Sequence, residues 1–110
     1  MAASFDGNEG EMIVIKDASA MAENFRSNFP DQKKAFFYGR NKIEELLNQT
    51  GAMGIRIYFG YNGASELQLI LVAANEDTDD NLNNILDTGI GCPDICGPDN
   101  ALNSDQNLDQ

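Results

Sequence analysis

The sequence predicts an α+β domain: a small sheet of about four strands that includes an antiparallel hairpin, with two or three helices on one face. Three observations lead there. Residues 54–61 and 67–73 are two apolar runs of strand length separated by a turn signal, Asn62-Gly63. Residues 18–29 and 43–47 instead place apolar side chains at helical spacing. A chain of 110 residues, 42% hydrophobic, also suffices for one core of its own. The expected organisation is a flexible leader over residues 1–10, a single α+β domain over 11–97, and a polar, disordered tail over 98–110.

The elements follow in chain order. Residues 12–15, Met-Ile-Val-Ile, are short and β-branched and predict a strand. Asp17 then reads as an N-cap. Ala18, Met21, Ala22, Phe25 and Phe29 form one helical face, and Pro30 ends it. Residues 35–39 are an aromatic run and predict a second strand. Asn41 with Glu44 three residues on is a capping-box pattern, Ile43, Leu46 and Leu47 supply a buried face, and Gly51 is the natural stop. In residues 54–61, Ile55, Ile57, Phe59 and Tyr61 share one face of a strand and Arg56 and Tyr58 the other. The returning strand is apolar on both faces, which marks a strand central in its sheet. Leu82, Ile85 and Leu86 predict a last helix, broken by Gly89 and Gly91.

Charge narrows the partners. The chain carries 18 acids and 7 bases, a net charge of −11. All bases lie between Lys16 and Arg56; from Ile57 onward there are ten acids and no base. No basic stripe exists to neutralise phosphates, so nucleic acid is not an expected partner, and anionic membranes are disfavoured. The acidic half would steer a basic protein surface. The longest apolar run, residues 69–74, is far too short for a transmembrane segment. The first residues show no signal peptide, so the expected location is cytoplasmic.

Catalytic chemistry has few candidates. With no histidine, the usual proton carrier at neutral pH is missing, and no catalytic residue is assigned. Glu44 and Glu45 splay apart on a helix. The run Glu76-Asp77-Thr78-Asp79-Asp80-Asn81 fails the EF-hand pattern, since Leu82 stands where glycine is needed and Thr88 where the bidentate Glu belongs. It reads as a helix start rich in favourably placed carboxylates. Residues 60–63 are a hairpin turn and lack the helix and Lys of a phosphate loop. Arg40, Arg56 and Tyr58 are candidates for an anion-binding or partner-contacting patch.

Cys92 and Cys96 remain. Three readings stand open: two reduced, packed thiols; a local disulfide; or two ligands of a metal site. The spacing is neither the C-x-x-C of thiol oxidoreductases nor a zinc ribbon, which needs a second pair. No cofactor follows from any of these residues.

The stretch Lys34-Ala35-Phe36-Phe37-Tyr38-Gly39-Arg40, residues 43–47, Gly54-Ile55-Arg56-Ile57-Tyr58-Phe59-Gly60 and Cys92-Pro93 with Cys96 together resemble a family of short, uncharacterised bacterial proteins of the Bacteroidota type. The resemblance spans most of residues 11–103. It implies that the helix–hairpin core and the cysteine pair go together, that Arg40, Arg56, Cys92 and Cys96 matter, and a bacterial cytoplasmic or envelope setting. It implies no activity. The expected function is a non-enzymatic accessory protein of a bacterial assembly that docks through its acidic surface. The alternatives are a thiol–disulfide or metal-binding protein acting through Cys92 and Cys96, and a small-anion binder using Arg40 and Arg56.

Overall fold

A computed structural model describes residues 3–104. The α+β class holds. The elements are α1 (Ile15–Asn28), β1 (Ala35–Phe37), α2 (Arg40–Leu47), β2 (Gly54–Tyr61), β3 (Leu67–Ala74) and β4 (Ile90–Cys92). The four strands divide into two antiparallel pairs, β1–β4 and β2–β3, instead of one sheet. Two compact units result: one joins the residues up to Gly10 to Tyr38–Gly89, the other joins Glu11–Phe37 to the chain from Ile90 onward.

The first unit is built on the hairpin. β2 and β3 pair from Gly54↔Ala74 to Tyr61↔Leu67. The connection holds one residue more than a two-residue turn. Asn62 donates its N–H to the Glu66 carbonyl (3.0 Å), and its own carbonyl accepts from Ser65 N–H (2.9 Å). Ser65 takes a left-handed φ of 62°, the position where such three-residue loops favour glycine. The Asn62 side chain holds the loop by accepting from the N–H groups of Ala64 and Glu66.

The same turn recurs at residues 75–79. Asn75 N–H donates to Asp79 O, Thr78 N–H to Asn75 O, and Asp79 N–H to Asn75 Oδ1, each at 3.0 Å, with Thr78 at φ 69°. This reversal sends the chain back along β3 and overturns the expected last helix. Asp80 bridges Ala74, Asn81 N–H donates to Ala73 O, and Leu86 exchanges both backbone bonds with Leu71. Backbone pairing to β3 replaces helical bonds. Asn and Asp favour this outcome, because their short side chains bond locally, as Asn81 does to Asn83 N–H. Leu86 packs on the core while Leu82 and Ile85 stay exposed. β3 is therefore not the central strand of a sheet: among the described residues β2 is its one strand neighbour, and its other side carries isolated bridges to Leu86 and Asp80.

The core of this unit is Leu46, Leu71 and Ala73, with Tyr38, Ala52, Ile55, Leu69 and Leu86 packed on it. α2 supplies Leu46. It starts at Arg40 with Gly39 as N-cap and no side-chain cap bond, so the Asn41–Glu44 capping box does not form. The cap lies two residues earlier than expected, which puts Asn41 inside the first turn. Gly51, with φ +81°, serves the turn after the helix, where Ala52 N–H bonds Gln49 O, and not the helix end itself. The leader is tied to this unit: Phe5 N–H donates to Glu76 O (2.9 Å), and Glu9 accepts from Asp6 and Gly7 N–H.

In the second unit, α1 begins at Ile15, so the expected strand over residues 12–15 is absent. Val14, not Asp17, is the N-cap, and Asp17 lies in the first turn, where its charge suits the helix dipole. Residues 12–15 find no sheet partner, and unpaired β-branched residues cannot hold a strand alone. Ala18 and Ala22 are half-buried, while Met21, Phe25 and Phe29 are exposed, the two rings 5.2 Å apart. β4 was not anticipated; Gly91 sits within it, opposite Phe36. The region expected to be a disordered tail carries turns over residues 98–104. Asn100 Oδ1 accepts from Leu102 and Asn103 N–H, Ala101 is buried, Arg26 Nη1 donates to Leu102 O (2.8 Å), and Lys34 Nζ donates to Asn103 O (2.5 Å). Residues 105–110 lie outside the described residues.

Candidate functional site

The period of two along β2 puts Arg56 and Tyr58 side by side, and the turn at residues 75–79 brings Asp80 to them. Arg56 Nη1 donates to Asp80 Oδ1 (2.5 Å) and to Thr78 O (2.9 Å). Tyr58 Oη donates to the other carboxylate oxygen, Asp80 Oδ2. The turn at residues 75–79 brings the Thr78 carbonyl to the guanidinium. Phe5 completes the arrangement, its ring centroid 5.3 Å from the guanidinium carbon, a cation–π distance.

The electrostatics follow from these bonds. The Tyr58 hydroxyl and then Arg56 hold the Asp80 carboxyl below its ordinary range, against a smaller opposing effect of desolvation. Tyr58 is pushed up, chiefly because its proton is shared with the Asp80 carboxylate. Arg56 is held still more firmly as a cation by Asp80. An open cleft of about 280 Å³ lies beside Arg56, lined also by Phe5, Met53, Ile55 and Ala74.

Arg56 is therefore already neutralised by a carboxylate. Arg40 stands exposed at the first residue of α2, and no hydrogen bond, ion pair or ring contact among the described residues joins it to Arg56 or Tyr58. The proposed anion-binding trio is brought together only in part.

The cysteine loop belongs to the other unit. Cys92 and Cys96 form a disulfide, with Cα atoms 4.8 Å apart. Cys92 is buried at the end of β4 and Cys96 is exposed. The two residues before β1 anchor the loop, since Lys34 N–H donates to Cys92 O (2.8 Å) and Lys33 Nζ to Pro93 O. In this state neither sulfur is a thiolate, the species that attacks disulfides or binds metal. Among the described residues, no three His, Cys, Asp or Glu side chains converge as a metal site would require.

The two edges of the hairpin differ. Because Asn62 and Glu66 form a bonded pair, Gly54, Arg56, Tyr58 and Gly60 direct their backbone groups to β3, and Ile55, Ile57, Phe59 and Tyr61 direct theirs outward. On the far side of β3, Leu69 O accepts from the Tyr38 hydroxyl, Leu71 is bonded twice to Leu86, and Ala73 O accepts from Asn81. On the β2 side, none of the four outward residues has a backbone partner among the described residues. Ile57, Phe59 and Tyr61 are 52%, 80% and 69% exposed.

Sequence reasoning singled out Arg56 and Tyr58 and missed Asp80 and Phe5. One signal was available: Asn62-Gly-Ala-Ser-Glu66 and Asn75-Glu-Asp-Thr-Asp79 share the pattern Asn-x-x-Ser/Thr-acid. The first is a hairpin turn, so the second is one too, and that alone returns Asp80 toward β2. The chain matches no protein-family model, no curated protein and no solved structure. No described helix is long and apolar enough to cross a membrane.

Proposed function

We propose that the protein is a non-enzymatic interaction module, an accessory component of a bacterial assembly that docks on a basic protein surface. One observation carries the reading. Glu66, Glu76, Asp77, Asp79, Asp87, Asp94 and Asp99 are all exposed, and among the described residues none of them is paired with a cation. Among the described acids of that half, Asp80 alone is neutralised, by Arg56. Exposed like charges repel one another and weaken the compact state, and a cationic partner relieves that repulsion. Association should therefore be fast and salt-sensitive.

The test is retrieval of a protein partner at low salt, followed by release as salt rises. The charge-reversed variant Glu76→Lys/Asp77→Lys/Asp79→Lys should lose the partner. Retrieval of nothing at low salt, or a complex indifferent to salt and to the reversal, would sink the reading.

The disulfide favours a second reading, a thiol–disulfide protein in which Cys96 is the exposed sulfur and Cys92 the buried one. It would place the chain in an oxidising compartment, against the cytoplasmic location expected from the sequence. Its measure is the reduction potential in glutathione buffers. A value far below about −300 mV marks an inert structural bond and removes this reading.

A further inference from the structure

The geometry points to a specific docking mode: the outer edge of β2 takes an extended, basic segment of a partner protein as an added strand. The inference rests on the interaction reading above and names the surface it would use. The hairpin has one closed edge and one open edge. Along β3, the chain's own return segment and the Tyr38 hydroxyl occupy the outward groups of Leu69, Leu71 and Ala73. Along β2, the outward N–H and C=O groups of Ile55, Ile57, Phe59 and Tyr61 meet nothing among the described residues.

An eight-residue open edge is long for a natural sheet. Such edges are usually guarded by a lysine, a proline, a bulge or a covering loop. The leader flanks the start of β2, where Phe5, Gly7 and Glu9 line a cleft with Gly54, Ile55 and Arg56, but from Ile57 to Tyr61 none of these guards is present among the described residues. The one charge of β2, Arg56, is directed to Asp80, away from the role of repelling another strand. The exposed side chains of Ile57, Phe59 and Tyr61 are the alternating pockets and ridges that an added strand reads.

Charge selects the occupant. A second copy would bring together two chains of net charge −11. An acidic peptide meets the same repulsion. A segment alternating Lys or Arg with β-branched residues places one face beside Ile57, Phe59 and Tyr61, and its cations are drawn to a chain of net charge −11.

The experiment uses the full chain, isotopically labelled, and a blocked peptide of alternating Lys and Val. Amide shifts and slowed hydrogen exchange should appear at Ile55, Ile57, Phe59 and Tyr61. N-methylation of the peptide at the residues that face the edge should weaken binding about tenfold or more, the cost of losing one or two hydrogen bonds. Phe59→Pro, which deletes an outward N–H and leaves the β3 ladder intact, should weaken it comparably. Equal binding by the N-methylated peptide, or shifts confined to residues 76–80, would overturn the edge mode while leaving the acidic docking reading intact. Equal binding by a Glu–Val peptide would overturn the choice of occupant. Slowed exchange at these amides on raising protein concentration alone, with a dimer in sedimentation, would identify a second copy instead. No binding at low salt removes the proposal. Whether the interaction reading falls with it is decided separately, by the retrieval test.

Discussion

Leu71→Ala is the perturbation that most directly tests how the hairpin unit is held. Leu71 is 6% exposed and touches the core formed with Leu46 and Ala73. Truncation removes three carbons, worth roughly 2.4 kcal/mol at about 0.8 kcal/mol per methylene. The cavity adds to this, but the core is shallow and partly able to collapse, so about 3 kcal/mol is expected within the ~2–5 kcal/mol range for such changes. Against an m-value of about 1–3 kcal/mol/M, the urea midpoint should fall by roughly 1–3 M. The assay is urea unfolding followed by the amide resonances of β2 and β3, which report this unit alone. Phe59→Ala is the control. It deletes a larger side chain that is 80% exposed, and should cost no more than about 0.5 kcal/mol. If the two variants shift the midpoint equally, or Leu71→Ala shifts it by less than about 0.5 M, the unit is not held by this core.

Three further outcomes are expected. Asp80 is held below its ordinary pKa, so its contribution is present above its unfolded value of about 3.9 and is lost as pH falls through the lower folded value; Tyr58 is raised, so its contribution persists below about 10 and fades at higher pH. Asp80→Asn should flatten the acid limb of stability measured by circular dichroism, and an unchanged limb would mean the Arg56 pair contributes nothing. Reducing the Cys92–Cys96 bond opens a five-residue loop, which loop-closure entropy values at roughly 2 kcal/mol; the second unit's amides should exchange faster while those of β2 and β3 do not change. Ser65→Gly and Thr78→Gly relieve left-handed backbone at each turn, and each should raise stability by about 0.5 kcal/mol in urea melts; a loss would show that the side chains matter more than the φ angles.

The sequence by itself determined the α+β class, α2 and the existence of the β2–β3 hairpin; its register came from the three-residue loop after Asn62. These rest on short-range physics: side chains alternate across a strand, repeat at helical spacing, and reverse at Asn62. It also determined the acidity of the second half, which needs no folding at all. Tertiary structure decided the rest. Residues 12–15 have strand-like side chains but no partner edge, so only α1 claims Ile15. Residues 82–86 carry a helical spacing, yet the turn at residues 75–79 lays them against β3, where two backbone bonds to Leu71 outweigh it. β4 exists only because β1, some fifty residues earlier in the chain, lies beside it. Arg56 looked like an unpaired cation on a strand face. Its partner, Asp80, lay in plain sight in an acidic run, but only the reversal at Thr78 brings the two within bonding distance. Pairing between distant segments depends on which edges are open and which are already taken, and no local pattern of residues carries that information.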